Sequence, residues 1–318
     1  MVSPRHTILV SGSITYDHIL DFPGKFKDHI LPSHLDDLNV AFYVNHISET
    51  YGGTGANIAY NLSLLGDRSV LLGSAGGDFA PFRTWLQKHN VDTKFVSIKQ
   101  TARTSAVYLM TDKLNNQISA YYPGTAAAYS KLPSLGNHQI DFGISSPSKL
   151  EDTWRMATFF KQAKIPFAFD PGQRITALAK QHILKALTGA TMLFTNEYEN
   201  AILRKKTGLS MHALMQRVGI VVTTMGVKGS RIQTAKQSIH VKASKPKVVL
   251  DPTGAGDAYR AGFLYGYLNQ LDLRTCAEIG SVTSTFTIEH YGTQVHTFTK
   301  RDVQVRLKAN YQKRIVLP

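Results

Sequence analysis

The sequence predicts an α/β fold in which a mostly parallel central sheet is flanked by helices, with a small separate β-sheet attached. Short apolar, β-branched runs alternate with runs of helical spacing along most of the 318-residue chain. Hydrophobic residues make up 43% of the chain, enough for one large core, and no linker or internal repeat interrupts it. We therefore predict one domain over residues 1–318, with lid segments at approximately 15–50 and 101–125.

The alternation begins with a predicted strand, Ile8–Ser11, followed by a helix over Asn57–Leu65 that ends at Gly66. A second helix is predicted over Phe79–His89, where Phe82, Trp85 and Leu86 share one side. Further strands are predicted at Ser69–Gly73, Gln139–Ile144, Pro166–Phe169, Thr191–Phe194, Gly219–Thr223 and Lys247–Leu250. Such alternation is typical of βαβ units, whose parallel sheet is covered on both faces.

Two stretches break the alternation and have the pattern of exposed strands. They are His34–Val44 and Thr104–Pro123, the second with a hairpin turn near Lys113–Asn116. A small sheet of this kind could close over a site as a lid, or it could be an ordinary hairpin extension. An exposed lid sheet could also pair with a second copy of the chain and form a homodimer.

Composition excludes several classes of protein. The single cysteine, Cys276, rules out a disulfide framework within the chain and a CxxC metal site. No apolar run approaches the ~18 residues that a membrane span needs, and the first apolar stretch reads as a buried strand. The net charge of +14 is spread along the chain, which favours a basic surface suited to anionic ligands over nucleic-acid binding. We expect a cytoplasmic protein with no nucleic-acid or membrane partner.

The most specific motif is the segment DPTGAGDAYRAGF, which runs from Asp251 to Phe263. Gly254 and Gly256 allow a tight turn at the start of a helix, where backbone N–H groups and the helix dipole attract an anion. Asp257 in the first helical turn is either a capping carboxylate or a general base that takes a proton from an attacking hydroxyl. A negative charge inside an anion cradle favours the second interpretation.

This segment resembles the signature D-T-x-G-A-G-D-x-F of the ribokinase-like (PfkB) family, with Pro252 and Tyr259 as mild variations. The resemblance implies the ribokinase-like three-layer fold with a β-sheet lid, and ATP-dependent transfer of a phosphoryl group to an alcohol. It also implies that Asp257 is the catalytic base. The anion hole would consist of Gly254, Ala255 and Gly256.

Two N-terminal segments resemble the substrate end of that family's site. In YGGTGAN, the resemblance implies a glycine hinge that includes Gly53, and a contact from Asn57 to a substrate hydroxyl. In SGSITYD, it implies that Ser13 and Asp17 bind the sugar, and a carboxylate can accept two hydrogen bonds from a vicinal diol. A glycine-rich turn and an Asx turn are the structural alternatives.

Two further segments resemble the nucleotide end. TNEYE matches an N-x-x-E motif, which implies that Asn196 and Glu199 organise Mg²⁺, with Glu199 acting through water. TMGVKG matches T-x-G-x-x-G, which implies ATP binding by Thr224, Gly226 and Gly229. A helix cap and a common glycine turn are the alternatives.

The segment Glu289–Gln294 resembles the region that lines a monovalent-cation site in many family members, together with Asp251. Backbone carbonyls would supply most of the ligands, so the resemblance implies a K⁺ site. A plain turn after a helix is the alternative.

The segments FPGKF, LNVAFYV, AYYPG and FDPGQ resemble the mycobacterial type of adenosine kinase. This resemblance assigns Tyr121 to stacking on the base and Gln173 to the substrate site. Phe42 would assist or would fill the lid's own core. The chain departs from that type at Val107, where a second lid aromatic is expected, and at Ala177, where an Arg is expected.

The sequence therefore predicts phosphorylation of the 5′-hydroxyl of adenosine or a related nucleoside by ATP, with Mg²⁺ and a K⁺ site. A sugar kinase of the ribokinase or fructokinase type is the first alternative. A non-catalytic ligand-binding relative is the second, although Asp257 and the anion-hole glycines disfavour it.

Overall fold

The computed structural model describes residues 6–31, 36–114, 116–127, 130–136 and 138–318. The strands within these residues are β1 (Thr7–Ser11), β2 (Thr15–Asp21), β3 (His46–Gly52), β4 (Arg68–Gly76), β5 (Val91–Lys99), β6 (Ser105–Thr111), β7 (Gln117–Tyr122), β8 (Phe142–Ser145), β9 (Phe167–Phe169), β10 (Met192–Asn196), β11 (Ile220–Thr224), β12 (Ser230–Gln233) and β13 (Ser238–Val241). The α-helices are α1 (Thr54–Leu64), α2 (Ala80–Lys88), α3 (Leu150–Gln162), α4 (Lys180–Leu187), α5 (Glu197–Thr207), α6 (Met211–Val218), α7 (Ala255–Leu268), α8 (Leu273–Ile288) and α9 (Lys300–Tyr311).

Nine strands form the main sheet in the order β13-β12-β11-β10-β9-β8-β1-β4-β5. The strands from β11 to β5 run parallel, and β12 and β13 add an antiparallel edge. Parallel pairing needs crossover connections, which the helices between the strands supply. The predicted α/β class with a mostly parallel sheet is confirmed.

Helices cover both faces of this sheet and bury two apolar cores. On β1, Ile8 and Val10 belong to one core and Leu9 to the other, as the two-residue period of a strand requires. The first core is closed by α1, α2, α7 and α8, and the second by α3, α4, α5 and α6. The fold therefore has three layers, and its strands are apolar on both sides.

A second sheet has the order β3-β2-β6-β7. It begins at Thr15, just after β1 ends, and β3 returns the chain to α1 through Gly52 and Gly53. Phe22, Phe26 and Phe42 form an aromatic cluster with ring centroids 5.0–5.5 Å apart. Phe42 thus packs in a small core that belongs to this sheet.

Two predicted strands are wrong. Lys247–Leu250 is irregular because its backbone is held by the end of α8: the Lys247 amide donates to Glu289 Oε1 at 2.5 Å, and the Leu250 amide donates to the Ile288 carbonyl. The prediction at His34–Val44 lies partly outside the described residues, and residues 36–44 are not in a strand. The strand that pairs with β2 is β3, which was not predicted.

Across the portions of the chain that the structure describes, none of the helices combines the length and apolar character that crossing a bilayer demands.

Candidate active site

The N-terminus of α7 presents backbone donors that have no internal partner. Gly254 adopts φ +75°, a left-handed conformation that glycine tolerates, and the amides of Asp257 and Ala258 donate to its carbonyl. The Ala255 amide donates to the Pro252 carbonyl at 3.2 Å. Within the described residues, the amides of Gly254 and Gly256 donate no hydrogen bond. These two N–H groups therefore suit an anion at the helix start.

Asp257 lies next to those amides, in the first turn of α7, and is only partly buried. Its Oδ2 accepts a hydrogen bond of 2.9 Å from Asn57 Nδ2. Burial raises the pKa of Asp257 to about 7, against the lowering effects of Arg260 and Asn57. A carboxyl group with this pKa can accept a proton near neutral pH and release it again.

A buried ion pair, which the sequence analysis missed, lies one helical turn beyond Asp257. Arg260 Nη2 donates to Asp170 Oδ1 at 2.9 Å, and Arg260 Nε lies 2.5 Å from Asp170 Oδ2. Asp170 is fully buried at the end of β9 and Arg260 is 8% exposed. The signal was present in the sequence, since a single Arg among small and apolar helix residues needs a buried anionic partner.

Asn57 joins Asp257 to the segment that follows α8. Its Oδ1 accepts from Gln294 Nε2 and lies within hydrogen-bond distance of the Thr293 hydroxyl, both at 2.9 Å. The three side chains of Asn57, Thr293 and Gln294 are buried. The family resemblance assigns this segment to the lining of a K⁺ site, and no sequence motif predicts its contact with Asn57.

The small sheet carries a row of predicted substrate residues. Asp17 pairs with Thr50 on one side and Val107 on the other, and Val107 pairs with Tyr121. Directly paired residues point to the same face of a sheet, so this row faces one way. Burial, with a smaller contribution from the Asp251 carboxylate, raises the pKa of Asp17 to about 6 against the lowering effect of the Thr15 hydroxyl, so Asp17 lies within electrostatic reach of the loop that precedes α7.

Two glycines at the end of β3 allow close approach. A Cβ on Gly52 would lie 2.1 Å from Asp17 Oδ2, and a Cβ on Gly53, with φ +96°, would lie 2.5 Å from the Ser13 carbonyl oxygen. Ser13 Oγ accepts a hydrogen bond from the Thr54 amide at 3.0 Å and so caps α1. Ser13 and Gly53 therefore meet where the small sheet joins the main one.

The predicted nucleotide residues share one end of the main sheet. Asn196 and Thr224 are paired at the carboxyl ends of β10 and β11. Gly226 and Gly229, with φ +57° and +92°, flank the turn into β12, and a Cβ on Gly229 would lie 2.0 Å from the Val241 carbonyl oxygen. Nucleotides bind beyond the carboxyl ends of parallel strands in folds of this kind.

Asn196 and Glu199 form a capping box at the start of α5. Asn196 Oδ1 accepts from the Glu199 amide and Glu199 Oε2 accepts from the Asn196 amide, both at 2.8 Å. Burial and the Asp170 carboxylate raise the pKa of Glu199, so negative charge is in surplus here. In the described part of the chain, no group of three or more His, Cys, Asp or Glu could hold a metal ion. Mg²⁺ with mostly water and phosphate ligands fits such a sparse donor set.

Within the described residues, three further predicted residues make no hydrogen bond to Asp257. Gln173 is exposed after β9, and within the described residues its side chain makes no hydrogen bond. Tyr121 is 47% exposed on the outermost strand of the small sheet. Asp251 accepts from the Thr253 amide at 2.9 Å and from the Gly292 amide at 3.3 Å.

Known proteins that are similar to this chain include nucleoside kinases. A nucleoside kinase from Methanocaldococcus jannaschii is 30% identical over 279 residues, covering 85% of this chain and 89% of that protein. The structure of a Burkholderia thailandensis nucleoside kinase in complex with inosine has a TM-score of 0.84 and 29% identity, and covers 97% of this chain and 99% of that one. The same kinase in complex with ADP-inosine has a TM-score of 0.82, 29% identity and 97% coverage of each chain.

The model of the pfkB family of carbohydrate kinases matches residues 9–300, which include both ends of the site described above. The resemblance drawn from DPTGAGD and the accompanying motifs is thus confirmed, and the chain belongs to the pfkB carbohydrate kinase family.

Proposed function

We propose that the protein transfers the γ-phosphoryl group of ATP to the 5′-hydroxyl of a nucleoside, with adenosine or another purine nucleoside as substrate. The observation that carries this proposal is the row of paired residues Asp17, Val107 and Tyr121, which runs outward from the loop before α7. A carboxylate suits the ribose diol, and the next two side chains offer an apolar and an aromatic surface to a base. A free sugar would need polar partners at those two positions.

The reaction follows from the chain's own groups. Asp257 accepts the proton of the 5′-hydroxyl as that oxygen forms its bond to the γ-phosphorus, and the bond to the ADP oxygen breaks. The free amides of Gly254 and Gly256, with Ala255 between them, stabilise the charge on the transferred group. Mg²⁺ near Glu199 would supply further charge stabilisation when bound.

The remaining assignments complete the site. Ser13, Gly53 and Asn57 lie where the ribose would approach Asp257, and Asn196, Thr224, Gly226 and Gly229 lie where ATP would enter. Residues 15–50 and 101–125 would act as a lid that excludes water. We assign Asp251, which accepts a hydrogen bond from the Gly292 amide, to a K⁺ site. We also propose that the protein is located in the reducing cytoplasm.

The relatives support a nucleoside in preference to a sugar. The Methanocaldococcus and Burkholderia proteins are nucleoside kinases, and the latter is known with inosine bound. The two proteins have similar identities to this chain, 30% and 29%, and both support a nucleoside as the substrate class. They do not decide between the possible bases. Val107 is small enough to accept more than one purine.

The test is an ADP-release assay with ATP and a panel of adenosine, inosine, guanosine, cytidine, ribose and fructose. We expect a purine nucleoside to give the highest kcat/KM, and the Asp257→Asn variant to be inactive with every substrate. Turnover of ribose or fructose without turnover of any nucleoside would overturn the substrate class. Full activity of Asp257→Asn would overturn the base assignment.

A further inference from the structure

The amide of Asn57 can adopt two orientations of nearly equal shape, and only one suits its neighbours. In the structure, its Nδ2 faces Asp257 Oδ2 at 2.9 Å, which is a donor facing an acceptor. Rotating the amide by 180° would place Oδ1 against that carboxylate oxygen, and two acceptors at this distance repel unless Asp257 is protonated. The orientation of Asn57 therefore determines whether ionised Asp257 has a partner.

Two side chains behind Asn57 select the productive orientation. Gln294 Nε2 donates to Asn57 Oδ1 at 2.9 Å. The Thr293 hydroxyl lies 2.9 Å from the same oxygen and 3.0 Å from the Tyr51 carbonyl oxygen, and it can donate to either. Gln294 is 1% exposed, and among the described residues its Oε1 has no hydrogen-bond partner, so Nε2 is the end of this amide that is bonded, and it is directed at Asn57.

We propose that Gln294, assisted by Thr293, is a positioning residue that fixes the Asn57 amide so that it donates to Asp257 and holds the base ready for the substrate hydroxyl. This relay of hydrogen bonds joins Asn57, at the start of α1, to Thr293 and Gln294 after α8, which lie 236 and 237 residues further along the chain. It reaches Asp257 on a third segment, 200 residues from Asn57. The inference rests on the proposed function, because it gives Asp257 the role of base.

Two near-isosteric variants separate positioning from packing. Gln294→Met removes the donor and keeps the volume, so Asn57 can rotate. Gln294→Glu places a carboxylate where the donor was, which attracts Asn57 Nδ2 and favours the rotated amide. We expect kcat to fall roughly tenfold for Gln294→Met, the usual effect of one hydrogen bond to a charged group, and further for Gln294→Glu. KM for ATP should be unchanged in both variants.

The variants should also change the pH at which Asp257 ionises. Arg260 on its own helix, Asp170 at the end of β9 and Asp17 in the small sheet act on this carboxyl group, and none of them changes in either variant. In Gln294→Met, loss of the Asn57 donor leaves only their combined effect, and Gln294→Glu adds a further negative charge, so in both variants the ascending limb of the kcat/KM profile should move to higher pH. The shift should be larger for Gln294→Glu than for Gln294→Met.

A matched control removes a buried hydrogen bond to α1 at a distance from the amide. Ser69 Oγ donates to the Ala59 carbonyl at 2.8 Å, and Ser69 is fully buried. We expect Ser69→Ala to lower thermal stability while leaving the pH profile unchanged. If Ser69→Ala and Gln294→Met shift the profile equally, or if neither Gln294 variant shifts it, the proposal is wrong.

A readout without catalysis separates this proposal from the proposed function. The folded-state pKa of Asp257 is raised above its unfolded value of 3.8, so its ionisation costs stability as pH rises from about 4 to about 7. Asp257→Asn should therefore increase the free energy of unfolding relative to the parent protein, and this gain should grow between about pH 4 and about pH 7. In the Gln294→Met background, the pH range over which the gain grows should extend to higher pH. An extended pH range in a protein that phosphorylates no nucleoside would overturn the function alone. An unchanged pH range would overturn the relay alone.

Discussion

Asp257 combines a reactive position with an unfavourable environment for charge. It stands beside two unpaired amides, and burial raises its pKa to about 7. A group whose pKa lies near the working pH is efficient in proton transfer, because both protonation states are populated. The same burial that makes the ionised form costly is thus what would suit Asp257 to the proposed role of general base.

The first prediction concerns the pH dependence of turnover. Because Asp257 must be ionised to accept a proton and its pKa is about 7, kcat/KM should rise with pH and reach half its maximum near pH 7. Asp257→Ala should reduce kcat by a factor of about 10²–10⁴ and abolish that limb. A rising limb that persists in Asp257→Ala would show that another group titrates.

The second prediction concerns Arg260 and Asp170. Arg260→Met should lower the free energy of unfolding by about 3–5 kcal/mol, because it leaves a fully buried carboxylate without its partner. Urea denaturation measures this loss. The double variant Arg260→Met, Asp170→Leu should recover most of it, since both charges are then absent. An equal loss in the double variant would point to packing as the cause.

At the scale of single elements, the end of β3 shows how backbone geometry positions the side chain of Asp17, the proposed ribose-binding carboxylate. Gly52 has a backbone conformation that alanine can also adopt. The obstacle to alanine is its Cβ, which would lie 2.1 Å from Asp17 Oδ2. Asp17 is a flexible side chain and can rotate away. The contact therefore constrains the position of a carboxylate and leaves the path of the chain unaffected.

The third prediction follows from this contact. Gly52→Ala should leave the fold intact and raise KM for the nucleoside roughly ten- to a hundredfold, because Asp17 turns away from the ribose. KM for ATP should stay the same. Adding Asp17→Asn to Gly52→Ala should have little further effect. Fully additive effects of the two substitutions would show that Gly52 acts independently of Asp17.

The elements also show where sequence reasoning succeeds and where it stops. Strands such as β1 and β10 were predictable because their apolar runs are short, continuous and bounded by turn residues. Lys247–Leu250 has the same appearance, yet its amides bond to α8, a partner 38 or more residues away that no local pattern reveals. β3 was missed because its sequence, HISETYG, is polar and largely exposed.

The same limit applies to the site. Its glycines and Asp257 could be proposed from the sequence because each role needs a particular residue type at a particular spacing, and these roles stay predictions. Arg260, Asp170 and Gln294 were missed because each contributes through a partner distant in sequence. The capping box of Asn196 and Glu199 was foreseen as an alternative and is present, while the Mg²⁺ role of Glu199 stays a prediction.

At the scale of the whole molecule, the protein carries a net charge of +14, and the proposed reaction joins an anion, ATP, to an uncharged nucleoside. A positive surface attracts ATP before contact, and dissolved salt screens that attraction. A neutral nucleoside gains nothing from it. The two substrates should therefore respond differently to ionic strength.

The fourth prediction states this difference. At constant K⁺ and Mg²⁺, raising NaCl from 50 to 300 mM should lower kcat/KM for ATP by roughly three- to tenfold. The value for the nucleoside, measured at saturating ATP, should change far less. Steady-state kinetics at four salt concentrations would measure both. Equal decreases for the two substrates would indicate a general effect of salt on the enzyme.

The pairing of β6 with β7 has a consequence for how the protein can change. Tyr121 lies opposite Val107, and its neighbour Tyr122 lies opposite Ala106 on the reverse side. If one residue were deleted between β6 and β7 and the turn took one residue from β7 to keep its length, Tyr122 would move opposite Val107, and an aromatic ring would still lie on the face of the sheet that carries Asp17. One added residue would instead bring Ala120 there. The adjacent tyrosines thus make the row that contains Asp17 tolerant of a shorter connection between β6 and β7 and sensitive to a longer one. Only a longer connection would remove the aromatic ring that is proposed to contact the base, which offers evolution a one-sided route to a different base preference.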